Sequence, residues 1–163
     1  MLKIMSDEDF NPDDVVIPAL LRAARSSYGN AIRLSLAAAG YDDLPRNGAY
    51  VLGGLVNHGG QAQGLVRELR VSKQAASQLV DTLVLRGYLE RAENPDDRRR
   101  IDVLPTERGR AAAAAIKNGV QSVDAELARM ITPEQLAGLR AGLFALADIR
   151  DRSDEQIAAG VTG

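Results

Sequence analysis

Residues 72–110 read SKQAASQLVDTLVLRGYLERAENPDDRRRIDVLPTERGR, and the change of pattern inside this stretch decides the fold. It opens on Ser72, a residue type whose side-chain oxygen caps helix N-termini. Ala76, Leu79, Val80, Leu83 and Val84 then recur at spacings of three and four, the apolar stripe of a helix over 73–86. The other side of that helix carries Lys73, Gln74, Ser77, Gln78 and Asp81. Gly87 is a natural stop. Two short strand candidates follow, YLERA at 88–92 and IDVL at 101–104, around the polar and charged segment ENPDDRRR at 93–100. Two strands around such a loop make a β-hairpin.

Working outward, AQGLVREL at 62–69 predicts a short helix that a tight turn at Val71 and Ser72 joins to the one above. A helix over 45–57 precedes it, with Pro45 suited to its first turn and Asn57, His58, Gly59 and Gly60 ending it. The first helix is expected over 15–39. Ile17, Leu21, Ala24, Tyr28, Ile32 and Leu36 recur at helical spacing there, Pro18 fits only a first turn, and Gly40 is a stop. On the far side a long helix starts after Thr106 and runs to 130, with five consecutive alanines at 111–115. Thr132, Pro133 and Gln135 form a second helix start, and that last helix is expected to reach about 150, with a frayed tail from Arg152 onward. The expected fold class is mainly α with a small β-hairpin.

Composition narrows the chemistry. The 163 residues are 45% apolar but only 4% aromatic, with no Trp, so the core is aliphatic. There is no Cys, which excludes disulfides, thiol nucleophiles and thiol redox sensing. There is one His, which disfavours a zinc site and leaves no Ser/His/Asp set. GNAIRLSLAAAG and LGGLVNHGG do not fit phosphate-binding glycine loops. No enzyme, metal site or cofactor is expected. The N-terminus lacks a signal-peptide pattern, and the longest uncharged run, 47–66, holds six Gly and is too polar to span a membrane; a cytoplasmic protein is the expectation. Net charge is -2, yet residues 61–110 carry ten Arg and Lys against eight Asp and Glu, while residues 1–20 carry one against five. The basic charge sits in the middle third.

A short helix, a turn and a second helix is the arrangement that places a reading helix in the DNA major groove. Ser72, Lys73, Gln74, Ser77 and Gln78 supply donors, acceptors and one cation on its exposed side, and Gln pairs well with adenine. The hairpin supplies Arg98, Arg99 and Arg100, suited to a narrow minor groove.

The stretch resembles the signature region of the MarR (multiple antibiotic resistance regulator) family of winged helix-turn-helix transcription regulators. That family's pattern has a Ser-containing recognition helix, Leu-x-x-x-Gly, a strand ending in Arg, a wing with Asp-x-Arg, and Leu-Thr-x-x-Gly opening the next helix. Residues 83–87, Arg91, Asp97 with Arg98 and Arg99, and Thr106 to Gly109 fill those places. The match is close over 62–110; the flanking helices match in number and length. Pro105 stands where the family has Leu, which would shorten the second wing strand. Ala75 and Ala76 leave the reading helix a small surface.

The resemblance implies a homodimer in which the first helix and the last two interlock with those of a second copy. The single chain 1–163 then divides into a dimerisation region, 15–40 and 107–150, and a DNA-binding lobe, 45–105. Apolar Leu136, Leu139, Leu143, Leu146 and Ile149, with Phe144 alongside, give the last helix more apolar surface than a monomer would cover. The resemblance further implies a ligand-responsive repressor on a pseudo-palindromic operator. It sets Asp97 beside Arg99, and gives Tyr28, Tyr50 and His58 as candidates for a pocket taking a small amphipathic or aromatic effector. Partners expected are double-stranded DNA and a second copy, with no membrane. The alternative is a winged-helix protein-interaction module that does not bind DNA.

Overall fold

The computed structural model describes residues 15–45, 47–57, 72–94, 101–158 and 160. Their element order is α1 (Ile17–Ala38), α2 (Gly48–Asn57), α3 (Lys73–Leu85), β1 (Leu89–Glu93), β2 (Ile101–Pro105), α4 (Glu107–Met130) and α5 (Pro133–Ala158). The expected helix at 62–69, the wing tip and His58 lie outside the described residues. The chain divides into two compact units, Met1–Val123 and Asp124–Gly163.

Two helix ends in the first unit are built alike. After α1, Gly40 takes φ +79°, the Gly40 N–H donates to the Ala37 carbonyl at 3.1 Å, and the Tyr41 N–H donates to that of Leu36 at 2.9 Å. After α3, Gly87 takes φ +72°, with Gly87 to Val84 and Tyr88 to Leu83 both at 2.9 Å. This is the Schellman geometry, in which a left-handed glycine lets the chain reverse and satisfy the last carbonyls. Such a turn sets an apolar residue just past the glycine against the helix it leaves, and here both residues are tyrosines. Their rings meet edge-on, centroids 6.2 Å apart.

The core of this unit gathers Leu36, Val51, Leu52, Leu83, Tyr88, Leu89, Ala112, Ala113, Ala115 and Ile116. The expected inner side of α3 is there: Ala76 and Leu83 are buried, and Leu79, Val80 and Val84 half-buried, so of the two alanines expected on the outward surface only Ala75 is on it. The alanine run does more than favour helix. Small residues let α4 come close to its neighbours. A Cβ on Gly119 would stand 2.7 Å from the Ile32 Cα, and the Ser35 hydroxyl donates to the Ala115 carbonyl at 2.7 Å, so α1 and α4 cross nearly backbone to backbone.

β1 and β2 pair antiparallel, with Leu89 opposite Pro105, Arg91 opposite Val103 and Glu93 opposite Ile101. Pro105 therefore does not shorten the second strand. It takes the last position, and its carbonyl accepts from Arg110 at 2.7 Å. Pro45 likewise sits ahead of α2 instead of inside its first turn, its carbonyl accepting from the Gly48 N–H at 2.7 Å.

In the second unit, Thr132 and Gln135 form the expected reciprocal cap of α5: the Gln135 N–H donates to the Thr132 hydroxyl at 3.3 Å, and the Thr132 N–H to the Gln135 side chain at 2.9 Å. The helix runs on to Ala158, past the expected end near 150. Nothing in 151–158 breaks a helix, Arg152 pairs with Asp148 one turn back, and the left-handed residue arrives only at Gly160. Leu139, Leu143 and Leu146 are each at least 40% exposed along one side of α5, and Phe144 is 77% exposed. Among the described residues, no helix is long and apolar enough to cross a membrane.

Gly109 is the tightest position. A Cβ there would lie 2.0 Å from the Tyr88 carbonyl oxygen. Gly109→Ala is therefore expected to destabilise the chain by about 3 kcal/mol or more in urea unfolding. Gly138→Ala, in α5 with nothing within 4 Å of the added carbon, should be neutral or stabilise by about 0.5–1 kcal/mol.

Candidate nucleic-acid interface

The exposed polar face singled out in the sequence is built by α3. The Ser72 hydroxyl accepts from the Ala75 N–H at 3.2 Å, which caps the helix and fixes where its first turn begins. An accepting hydroxyl still has a proton to donate. Gln74, Ser77 and Gln78 are exposed on one side, with Ala75 between them, opposite the buried Ala76 and Leu83. Lys73 is the first helical residue, and its side chain lies outside the described set. Of the sequence-derived DNA contacts, then, Ser72, Gln74, Ser77 and Gln78 come together on one exposed helix end. Asp97, Arg98, Arg99 and Arg100 lie outside the described residues.

The outward stripe ends differently from its sequence pattern. Asp81 continues the polar face, but its carboxylate is held by the Arg91 guanidinium on β1. The ion pair offsets the acid's charge on this face and joins α3 to the hairpin. At the hairpin's mouth the Asn94 amide donates to Asp102 at 2.8 Å across the two strands. The candidate effector residues are less concentrated. Tyr28 is half-buried on α1, Tyr50 is 48% exposed on α2 beside the fully buried Val51 and Leu52, and His58 is outside the described residues.

At the C-terminal end of α3 lies a polar cluster that the sequence pattern did not reveal. Tyr88, fully buried, donates its hydroxyl to the Asp43 carboxylate. Arg108 donates to the same carboxylate at 2.9 Å and to the Tyr88 hydroxyl at 3.2 Å, and its guanidinium lies 4.6 Å from the Tyr88 ring centroid and 5.5 Å from that of Tyr41. The Asp43 backbone carbonyl accepts from Arg86. The Tyr88 hydroxyl, and then Arg108, hold Asp43 below the usual carboxylate range. Burial, and then the Asp43 carboxylate, push the Tyr88 hydroxyl up. Its hydrogen bond to Tyr88, and then the Asp43 charge, raise Arg108 further above its ordinary value. The carboxylate stays charged and the phenol stays protonated over the whole neutral range. Thr106 closes the same corner, its hydroxyl donating to the Gly87 carbonyl at 2.6 Å and accepting from the Gly109 N–H at 3.0 Å.

These directions give a signed pH dependence. A carboxyl depressed by folding contributes stability above its unfolded pKa, lost as pH falls through the folded one. A raised phenol contributes below its unfolded pKa, lost as pH rises through the folded one. The stability difference between the wild type and Asp43→Asn should be constant from about pH 5 to 8 and shrink below about pH 4. Tyr88→Phe should cost about 1–2 kcal/mol at neutral pH and remove part of the alkaline decline above about pH 10. Urea midpoints across pH check both; a difference that grows on acidification contradicts the assignment.

Comparison with known proteins agrees with this architecture. Residues 42–100 match the family model described as MarR family. No curated protein matches the chain in sequence. Among solved structures, RV1404 from Mycobacterium tuberculosis is similar at TM-score 0.62 and 25% identity, over 85% of this chain and 94% of that one. Wild-type apo MarR from E. coli is similar at TM-score 0.57 and 23% identity, over 81% and 96%. S. aureus MepR bound to ethidium bromide is similar at 0.56 and 18%, over 83% and 97%. Residues 42–100 thus carry the MarR-family signature, on a chain whose fold is that of the MarR-type winged helix transcription regulators.

Proposed function

We propose that the chain is a sequence-specific DNA-binding transcription regulator, acting in the cytoplasm as a homodimer on a pseudo-palindromic operator and repressing until a small amphipathic or aromatic molecule binds. The observation that carries this is the exposed end of α3, where Ser72, Gln74, Ser77 and Gln78 stand together on a helix capped at its start, buried along its other side and followed at once by a hairpin. A helix fixed from behind with hydrogen-bonding groups in front is what major-groove reading requires. The MarR family match over 42–100 supports a regulator over an enzyme.

The dimer reading is supported by apolar residues left exposed at both ends of the chain, Ile17, Leu20 and Leu21 on α1 and Leu139, Leu143 and Phe144 on α5. In this reading 15–40 and 107–150 form the dimerisation region and 45–105 the DNA-binding lobe. The effector reading draws on the ethidium complex of MepR, with Tyr28, Tyr50 and His58 as the residues to test. Lys73 is assigned to phosphate. Arg99 is assigned to the minor groove with Asp97 holding it, and Arg98 and Arg100 to phosphate or to solvent.

Binding to duplex DNA should weaken steeply as salt rises; salt-independent association would favour a protein-interaction module instead. Gln74→Ala or Gln78→Ala should cost about 1–3 kcal/mol at particular operator positions and relax base preference there, whereas Lys73→Ala should weaken all sequences alike. Unchanged specific affinity in all three would remove α3 as the reader.

The wing assignment makes a prediction of opposite sign to simple electrostatics. Arg99→Ala should weaken binding more than Arg98→Ala or Arg100→Ala, and Asp97→Ala should also weaken it, although it removes a negative charge. Titrating each variant on one operator at two salt concentrations decides the point. Tighter binding by Asp97→Ala with equivalent Arg variants would make the wing a diffuse basic patch.

A further inference from the structure

The corner that joins α3 to α4 is locked through its backbone. The Thr106 N–H donates to the Tyr88 carbonyl at 3.1 Å, the Thr106 hydroxyl bridges Gly87 and Gly109, and Gly109 lies against Tyr88 with no room for a side chain. Reading helix, first strand and α4 therefore leave this corner as one piece. Its attachment to the α1–α2 loop is of another kind. Three side chains of the corner, Arg86 at the C-cap of α3, Tyr88 ahead of β1 and Arg108 in the first turn of α4, donate hydrogen bonds to one residue of that loop, Asp43. Two reach its carboxylate and one its backbone carbonyl.

We propose that Asp43 is a positioning residue that sets the tilt of α3 against the α1–α2 segment, and through that tilt the half-site spacing at which two copies engage DNA; this rests on the DNA-binding reading above. The lever makes small changes matter. From Leu85 at the corner back to Lys73 the helix is roughly 18 Å long at 1.5 Å per residue. A rotation of about 10° at the corner carries the reading end about 3 Å, close to the roughly 3.4 Å that separates successive base pairs along the duplex. An ion pair as exposed as Asp43 and Arg108, whose side chains are 45% and 42% exposed, adds little stability. Its effect is geometric: charge, the buried Tyr88 hydroxyl and a planar guanidinium converge on one carboxylate. The Tyr88 hydroxyl, and then Arg108, lower the proton affinity of Asp43 and keep that carboxylate charged across the neutral range.

The test uses the absence of cysteine. Ala75→Cys on α3 and Arg33→Cys on α1, both exposed, give unique spin-label sites. Dilution with unlabelled chain restricts the measured distances to one protomer. The expected result is one narrow distance in the wild type, a broadened or displaced distribution in Asp43→Asn, and partial recovery in Asp43→Glu. On unlabelled protein, preference for a duplex carrying the inverted repeat enriched from genomic DNA over the same duplex with an extra base pair between half-sites should fall about fivefold to tenfold in Asp43→Asn. A purely structural role would lower the unfolding midpoint but leave the folded protein's label distance and spacing preference unchanged, and that result overturns the proposal. If wild-type protein bound no duplex, the DNA reading would fail while the label distances still decided the positioning role. Should Asp43→Asn not fold, Tyr88→Phe removes the hydroxyl from the same carboxylate and is judged by the same two readouts.

Discussion

A missing side chain governs the first unit of this chain. Because Gly109 has no Cβ, the first turn of α4 can lie against the Tyr88 carbonyl, at a separation where any other residue would place a carbon 2.0 Å from that oxygen. That approach lets Thr106 bond to Gly87, Tyr88 and Gly109 together, and it brings Arg108 over the Tyr88 ring. Tyr88 is in turn delivered by the left-handed Gly87, whose turn points the ring into the core beside Leu83. The same device after α1 delivers Tyr41, and the two rings meet. Two glycine reversals and one glycine contact thus bring the ends of three helices to a single corner.

This arrangement suits a reading helix. The side of α3 facing the protein is spent on Ala76 and Leu83, its C-terminal end is tied at Arg86, Gly87 and Tyr88, and its Asp81 is tied to the first strand by Arg91. What is left outward is the first two turns, with short polar and amide side chains. Side chains presented from a fixed helix lose less freedom on binding, and specificity gains from it. The wing leaves the same corner, so hairpin and helix share one frame.

The sequence made the order of the described elements legible for clear physical reasons. Ser72 and Thr132 are caps whose bonds the structure contains, Gly40 and Gly87 are stops that take left-handed backbone, and the polar stripe of α3 lies outward as its spacing requires. Where the reading fell short, the missing information was three-dimensional. The alanines at 111–115 read as helix formers, but their use with Gly119 is to let α1 approach α4. Asp43, Tyr88 and Arg108 are 45 and 20 residues apart along the chain, and no local pattern pairs them. Thr106 to Gly109 reads as a helix opening, while the reason for its glycine is a contact with a carbonyl 21 positions earlier. Pro105 shows the converse: a rule about its missing N–H suggested a shortened strand, yet at the last position of β2 it keeps its pairing with Leu89.

The most direct test of the central claim is selection of bound fragments from genomic DNA by the purified chain, followed by footprinting of the enriched sites. The account predicts a small set of related sequences, each with two inverted half-sites about one helical turn or a multiple of it apart, protected by two copies of the chain. Recovery of unrelated fragments with no shared inverted repeat, bound no more tightly than bulk DNA, would contradict it.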